Sequence, residues 1–390
     1  VPDKPADVPT AAAPAAPAGG VPASSGAVPG AQAVPGAVPV ATGTAAAPAT
    51  QPIVVKTDLF TAEIDPVGGV ITQIALTQHR DAFDKAKPYL ALQRNAERTF
   101  VAQAGLLGEG MPNHRTVYEV LPGPRELAPG ENKLEVKLAA TGDKVVQTLT
   151  FQRGSYLIDT TFDVTSAGGA PVAPYAYFQL TRDTKQAVPQ NSMAPAAYVG
   201  PVVYNATDHF KKVEPAEIDK LAADPARKAP YAKSTTDGWV GMLEHYFVSA
   251  WLPSDEKKLP REFYTRKLDG GLYAAGVIVP TAAAAPGAGA SVTVPLFVGP
   301  QDQDLLKTVA AGLDLSVDYG IFTVLAAPLF WLLKWLHGLI GNWGWAIVAM
   351  TVMIKGAFYP LNAAAARSMG KMKLVAPKLK ALQEQYANDK

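Results

Sequence analysis

The 390-residue sequence contains no cysteine. That single absence removes disulfide scaffolding, thiolate metal sites, thiol nucleophiles and thiol-based redox switching. It leaves the compartment open, because oxidising spaces tolerate cysteine-free chains. Histidine is scarce as well: His79, His114, His209, His245 and His337 are scattered, and no HExxH helix occurs. A metal centre is therefore not expected. There is no GxxxxGK[ST] loop and no GxGxxG after a strand, so neither phosphate chemistry nor a dinucleotide cofactor is expected, and no other cofactor is implied. An excess of one charge is missing too, with 35 basic against 34 acidic side chains.

That balance conceals an asymmetry. From Trp343 onward there are seven basic residues (Lys355, Arg367, Lys371, Lys373, Lys378, Lys380, Lys390) and two acidic ones (Glu384, Asp389), leaving 28 basic against 32 acidic elsewhere. Such a split points to a membrane or to nucleic acid. The apolar run just before the basic cluster, and the lack of aromatics interleaved within it, select the membrane and exclude a nucleic-acid substrate.

Residues 1–51 are dominated by Ala and Pro, carry no aromatic residue, and have only Asp3, Lys4 and Asp7 charged. They hold too little apolar surface to offset ordering entropy and read as a disordered linker. From about 52 to 313 the texture becomes short runs of Val, Ile, Thr, Tyr and Phe between Gly, Pro, Asn and Asp. That is the texture of one large antiparallel β-sandwich ending in a helix. In 156–165, Tyr156, Ile158, Thr160, Phe162 and Val164 share one face; the strand follows 148–152 and the turn Arg153-Gly154-Ser155. Leu134, Val136 and Leu138 alternate with Lys133, Glu135 and Lys137 in the same way. Further strands are expected at 53–56, 69–76, 175–181, 239–252, 272–279 and 292–298, helices at 214–225 and 301–313, and a loop at 280–290.

The segment 343–361, WGWAIVAMTVMIKGAFYPL, has a single charge over 19 residues. At about 1.5 Å rise per residue it is roughly 28 Å long, close to the hydrocarbon thickness, and reads as a transmembrane helix. Trp343 and Trp345 at one end and Tyr359 at the other sit where aromatic anchors sit. The basic residues Arg367, Lys371, Lys373, Lys378 and Lys380 that follow place its C-terminal end in the cytoplasm, and hence residues 1–342 on the outer side. Residues 321–341 admit two readings: a second span, or an interfacial amphipathic helix anchored by Trp331, Lys334 and Trp335. Pro328, expected to interrupt the helix, and the two tryptophans favour the interfacial one. After Leu361, residues 362–390 read as a basic amphipathic helix broken or kinked near Pro377; its basic side faces anionic headgroups or an acidic partner, or else it is a solvated arm.

Lys355 needs compensation, since a lysine near the bilayer centre costs on the order of 2.5–3.5 kcal/mol. It either snorkels to the cytoplasmic headgroups or faces a water-filled cavity in a helix bundle.

The run 328–390, PLFWLLKWLHGLIGNWGWAIVAMTVMIKGAFYPLNAAAARSMGKMKLVAPKLKALQEQYANDK, closely resembles the YidC family of bacterial inner-membrane protein insertases. So do VVKTDLFTAEIDPVGGVITQIAL (54–76), DGWVGMLEHYFVSAWLP (237–253) and LDLSVDYG (313–320), which are similar to the periplasmic domain of its Gram-negative members. The resemblance implies a non-enzymatic chaperone that takes hydrophobic nascent segments from the ribosome and releases them into membrane lipids, alone or beside the Sec translocon. It implies a hydrophilic groove whose one basic residue falls on Lys355, where many members carry arginine. It also implies that the outer domain is a β-supersandwich related to sugar-binding folds, and that membrane helices flank this chain on both sides. The start at Val1 and the end inside a helix at Lys390 accordingly read as the bounds of a fragment.

A competing class is a membrane-anchored periplasmic carbohydrate-binding or carbohydrate-active protein with His245, Glu244, Asp237 and His209 as acid and base. Glu244 and His245 are expected in an apolar strand as a satisfied structural pair. A third reading, a docking module for the translocon, is compatible with insertion.

Overall fold

The computed structural model describes residues 51–140, 144–165, 174–185, 198–224, 226–256, 258–281, 289–317 and 323–385. The expected linker, most of the expected loop at 280–290 and the last five residues lie outside the described residues. The chain forms two units, one made of the residues to Gln301 with Thr308–Leu313, the other of Asp302–Lys307 with Asp314–Lys390.

Side-chain alternation decides which face of each strand is dry. In Lys133–Ala140, Leu134, Val136 and Leu138 are buried while Lys133 and Lys137 are exposed. In Leu157–Thr165, Ile158, Thr160, Phe162 and Val164 are buried and Asp163 and Thr165 exposed, as a period of two requires. The expected turn at Arg153-Gly154-Ser155 forms, with Gly154 at a φ of 70° that suits glycine.

In chain order the first unit holds β1 (Ile53–Lys56), β2 (Phe60–Asp65), β3 (Val70–Arg80), β4 (Pro88–Arg94), β5 (Thr99–Leu107), β6 (Glu119–Val120), β7 (Lys133–Ala140), β8 (Val145–Gln152) and β9 (Leu157–Thr165). There follow β10 (Tyr175–Arg182), β11 (Gly200–Asn205), β12 (His209–Lys212), helix α1 (Pro215–Ala223), β13 (Ser234–Thr235), β14 (Trp239–Leu243), β15 (Phe247–Trp251), β16 (Arg261–Leu268), β17 (Leu272–Pro280) and β18 (Gly289–Pro300). A short helix α2 (Gln303–Val309) comes next, then α3 (Thr323–Ile340) and α4 (Trp343–Gln385). Among the described residues the strands make two nine-stranded sheets, β1-β2-β3-β4-β5-β10-β17-β16-β13 and β12-β11-β14-β15-β18-β9-β8-β7-β6. Their ladders are antiparallel. This is the mainly β sandwich the composition predicts.

The sheets meet through large apolar side chains. Phe60 on β2 lies 6.1 Å from Phe151 on β8, and Phe178 on β10 lies 6.1 Å from Phe162 on β9 and 5.1 Å from Trp251 on β15, ring centre to ring centre. All five rings are fully buried. Each such burial stabilises by about 1.5–3 kcal/mol, and tilted ring pairs add about 0.5–1.5 kcal/mol.

One strand expectation is corrected. The run 239–252 is two strands, β14 and β15, folded back on each other with Val240 opposite Trp251 and Leu243 opposite Val248. Glu244, His245 and Tyr246 form the turn between them. The apolar residues on both sides of Glu244 mimic one continuous strand, but the buried carboxylate is held by groups of the other sheet.

The outer face of the first sheet carries a cross-strand row: Gln103 on β5, Gln179 on β10, Gly276 on β17 and Tyr264 on β16 stand directly opposite one another. Tyr264 reaches across Gly276 to donate to Gln179 Oε1 at 2.8 Å. A Cβ on Gly276 would sit 2.4 Å from the Tyr264 ring, and one on Gly105 2.6 Å from the Tyr177 hydroxyl. Glycine therefore clears the floor for two buried tyrosines. Gly276→Ala is expected to lower stability by about 1–3 kcal/mol through overpacking, whereas Gly123→Ala, where a Cβ meets only Glu135 O at 3.9 Å, changes it by less than about 0.5 kcal/mol. Urea midpoints measure both; equal midpoints would remove the steric argument.

In the second unit, α3 runs unbroken through Pro328 and α4 through Pro360 and Pro377. The expected interruption at Pro328 and break near Pro377 do not occur. Each proline removes one amide donor, but good helix formers flank both sites, Leu and Ala around Pro328 and Ala, Lys and Leu around Pro377, and the helix resumes on either side.

Candidate functional site

The elbow between α3 and α4 follows from two residues. Gly341 takes a φ of 72° and its N–H donates to His337 O at 2.7 Å, closing α3. Asn342 caps α4, its Oδ1 accepting from Gly344 N at 2.9 Å and Trp345 N at 3.3 Å. The helices then touch: His337 stacks on Trp343 with ring centres 3.8 Å apart and planes 12° off parallel, and Leu336 and Ala346 are buried. Trp331, Trp335, Trp343, Trp345 and Tyr359 are exposed. Lys334 does not stand alone, for its ammonium pairs with Asp304 and lies 4.9 Å from the Phe330 ring centre.

Lys355 is exposed on α4. It lies twelve residues, about 18 Å of rise, beyond Trp343. Because α4 is continuous, its 3.6-residue period puts Thr351, Lys355, Tyr359, Asn362 and Lys373 on one stripe, Lys373 being five turns from Lys355. Thr351 satisfies its own hydroxyl on Ile347 O at 2.8 Å. Arg367, Lys371, Lys373 and Lys380 are exposed farther along; the Lys378 side chain lies outside the described residues. By length and composition the Trp343–Pro377 stretch of α4 is long and apolar enough to cross a membrane, and Val324–Ile340 is a shorter apolar helix.

The four acid–base candidates of the β-unit do not converge. His209 is exposed at a φ of 57° on β12, Asp237 accepts from Ala206 N at 3.2 Å, and His245 is exposed with its ring on Tyr246. Glu244 is buried, and its partners are Tyr89, Arg98 and Arg182 rather than His245.

A concentration of polar groups that sequence reasoning missed lies on the outer face of the first sheet, around a cavity of about 180 Å3. His114 accompanies Gln103, Gln179 and Thr181 there, with Arg94 at the edge. The Tyr177 hydroxyl accepts from the His114 backbone N–H at 3.1 Å and lies 2.5 Å from Nδ1. The only sequence signal is the alternation of Tyr177, Gln179 and Thr181 with Phe178 and Leu180, which reads equally well as a wet face. Burial, followed by the charges of Arg115 and Arg94, lowers the His114 pKa to about 4. An unfolded histidine takes up its proton near 6.5, so the native state binds fewer protons between those values. Stability is then constant above about pH 6.5 and falls as pH drops toward 4, by about 3 kcal/mol from this group alone. The difference in melting temperature between the native chain and His114→Phe should narrow over that window; a constant difference would show that His114 does not titrate against folding.

The architecture is thus a large antiparallel β-sandwich carried on the same chain as an apolar helical hairpin with a basic end. Residues 52–332 match the family model of the YidC periplasmic domain, and residues 335–390 match that of the 60Kd inner membrane protein. The chain belongs to the YidC family. It is 46% identical over 341 residues to the membrane protein insertase YidC of Nitrosospira multiformis, covering 87% of this chain and 58% of that protein. With the same-named protein of Cupriavidus taiwanensis it shares 42% identity over 388 residues, 95% of this chain and 67% of that one. Against the Nitrosospira multiformis and Aromatoleum aromaticum relatives the chain spans 58% and 60% of their length. Among solved structures, an active YidC insertase with its first transmembrane domain resolved aligns at 13% identity, covering 89% of this chain and 63% of that one, with a TM-score of 0.36. A galactose mutarotase related enzyme from Lactobacillus acidophilus aligns at 9% identity, 64% and 97% coverage, and a TM-score of 0.39.

Proposed function

We propose that this chain is the outer domain, an interfacial helix, the second transmembrane helix and the start of the cytoplasmic helical region of a bacterial inner-membrane insertase, a chaperone for hydrophobic nascent segments rather than an enzyme. Residues 1–342 lie on the periplasmic side and 362–390 in the cytoplasm, as the basic end of α4 supports. α3 lies along the outer surface with Trp331 and Trp335 at headgroup depth. The single observation that carries the reading is Lys355. A cation about 18 Å along an otherwise apolar helix, on one stripe with Thr351, Tyr359 and Asn362, is a costly feature unless it faces water. In a hydrated groove completed by the rest of a longer protein, it lowers the cost of moving a short polar tail and briefly attracts the acidic residues of a client. Nascent membrane proteins are then the clients, with the ribosome, the Sec translocon and membrane lipids as partners. The buried engagement of Glu244 and the scatter of His209, Asp237 and His245 do not favour the carbohydrate-active reading, since these four residues make no joint acid–base site.

The test is site-specific crosslinking from positions 351–358, in a protein of the relatives' full length that carries this chain, to a ribosome-stalled nascent chain. Crosslinks to the apolar segment of the client, strongest from the stripe of Thr351 and Lys355, are expected. Crosslinks to lipid alone would remove the insertion reading.

A further inference from the structure

The cavity on the outer face of the first sheet is lined wholly by residues of the β-unit, and its hydrogen-bonding capacity is one-sided. Gln103 Oε1 accepts from Gln179 Nε2 at 2.7 Å and from Thr181 Oγ1 at 2.9 Å. Both of its lone pairs are used, which leaves the two protons of Gln103 Nε2 for the cavity. Gln179 Oε1 is itself taken by the Tyr264 hydroxyl at 2.8 Å. Tyr264, Gln179 and Gln103 therefore form one directional chain, each donor polarised by the bond before it, and the chain ends on the Gln103 amide.

His114 contributes in the same sense. The Tyr177 oxygen accepts from the His114 backbone N–H, and in the Nε2-protonated tautomer its own proton goes to Nδ1, 2.5 Å away. The neutral imidazole then carries its remaining proton on Nε2. Arg94 adds a guanidinium at the edge, braced by Asp65 Oδ2 at 3.0 Å. Val101, Leu268 and Leu272 supply the apolar wall. The tyrosines that set these donors lie in slots cleared by Gly105 and Gly276, so the amide chain is built into the strands, while His114 comes from the turn after β5 and is held to it through Tyr177.

We propose that this cavity binds a small carboxylate, its oxygens taken by Gln103 Nε2, His114 Nε2 and the Arg94 guanidinium. Ionised acceptors make the stronger hydrogen bonds, and donors already fixed by their own hydrogen bonds, Gln103 on β5 and His114 in the turn after it, meet an oxyanion with little reorganisation. At about 30 Å3 per water-sized group, the volume holds a carboxylate with a short apolar stem against the Val101 and Leu272 wall. The stem belongs either to a free short-chain acid or to the end of a polypeptide.

The experiment is an NMR titration of the whole 390-residue chain in detergent micelles, with labelled imidazole nitrogens. The probes are acetate, succinate, a tripeptide with a free C-terminus and the same tripeptide amidated, with acetamide and glucose as neutral comparators. Saturable shifts of the His114 nitrogens with acetate or succinate, and a rise of at least one unit in the His114 pKa when the site is filled, are expected. Gln103→Met should weaken binding at least tenfold. Should that variant fail to fold, Arg94→Met, at a partly exposed ion pair, should weaken it several-fold with unchanged melting. Binding by the free-acid tripeptide and not by its amide assigns the site to chain ends, whereas binding by the small acids alone assigns it to free carboxylates; both support the proposal. Absence of saturable shifts, or equal shifts with acetamide or glucose, overturns it. None of these outcomes depends on insertion activity.

Discussion

Glu244→Ala is expected to destabilise the sandwich by about 3–5 kcal/mol, the cost of breaking a buried ion pair from one side. Glu244 is 4% exposed; Oε1 lies 3.3 Å from Arg98 Nη2 and 3.4 Å from Arg182 Nη2, and Oε2 accepts from the Tyr89 hydroxyl at 2.5 Å. One carboxylate therefore answers two guanidinium groups, and removing it leaves two cations in a dry place. Arg182 shows the strain of that place. Burial pushes its guanidinium below the ordinary arginine value, and Glu244 is first among the charges that hold it up. It also donates to Asp183 O and Lys185 O, both at 3.0 Å, and to Leu243 O at 3.5 Å, and its plane lies over Phe100. The cluster also joins the two sheets, since Tyr89, Arg98 and Arg182 come from the first and the Glu244 turn from the second. For a domain of about 250 residues each kcal/mol moves Tm by roughly 2–4 °C, so a fall of roughly 10 °C is expected. His245→Ala, one residue on but exposed, should stay within about 0.5 kcal/mol. Equal thermal scans for Glu244→Ala and the native chain would show that the two arginines find water or other partners.

The same cluster explains where the sequence misleads. A Glu between Leu243 and His245 in an apolar stretch looks like a polar guest in one strand, because its two arginine partners lie 146 and 62 residues away in the chain. Arg261 misleads in a similar way: it opens β16 yet is 2% exposed, its Nη1 donating to Gly238 O at 2.7 Å and Pro253 O at 3.0 Å, so a buried strand start reads as a solvated loop. β2 was legible in principle, with Phe60, Ala62 and Ile64 buried in strict alternation, but only three apolar residues alternating with Thr61, Glu63 and Asp65 make a weak period. β7 and β9 were clear because charge and bulk alternate along them. The membrane end was clear for the opposite reason: Lys355 stands out in an apolar run without any knowledge of the fold. The cavity was invisible, since Gln103 and Gln179 are 76 residues apart and only strand register brings their amides together. Local physics marks a lone charge in an apolar segment; it does not mark a site made by neutral donors from three strands and a turn.

Reversing the charge of Lys355 is the change with the largest expected effect on function. In a protein of the relatives' full length, Lys355→Arg should retain insertion of single-spanning clients, Lys355→Ala should impair clients with acidic outer tails, and Lys355→Glu should impair them most. At about 8 Å and an effective dielectric of about 20, one unit charge attracts another by about 2 kcal/mol. Losing that attraction at the crossing step slows it by roughly thirtyfold, and turning it into repulsion squares the factor to about a thousandfold. The same variants should hardly affect a client whose tail is neutralised, which separates an effect on the tail from an effect on folding. Arginine keeps the charge, so its success alongside the failure of alanine identifies charge, not side-chain length, as the property used. If arginine, alanine and glutamate insert acidic-tailed clients at one rate, the ammonium reaches the cytoplasmic headgroups along its own stem. The stripe of Thr351, Tyr359 and Asn362 then faces lipid or protein rather than water. The two outcomes are far apart because a cation helps a passing carboxylate only if both stay inside the membrane, within about 8 Å of each other.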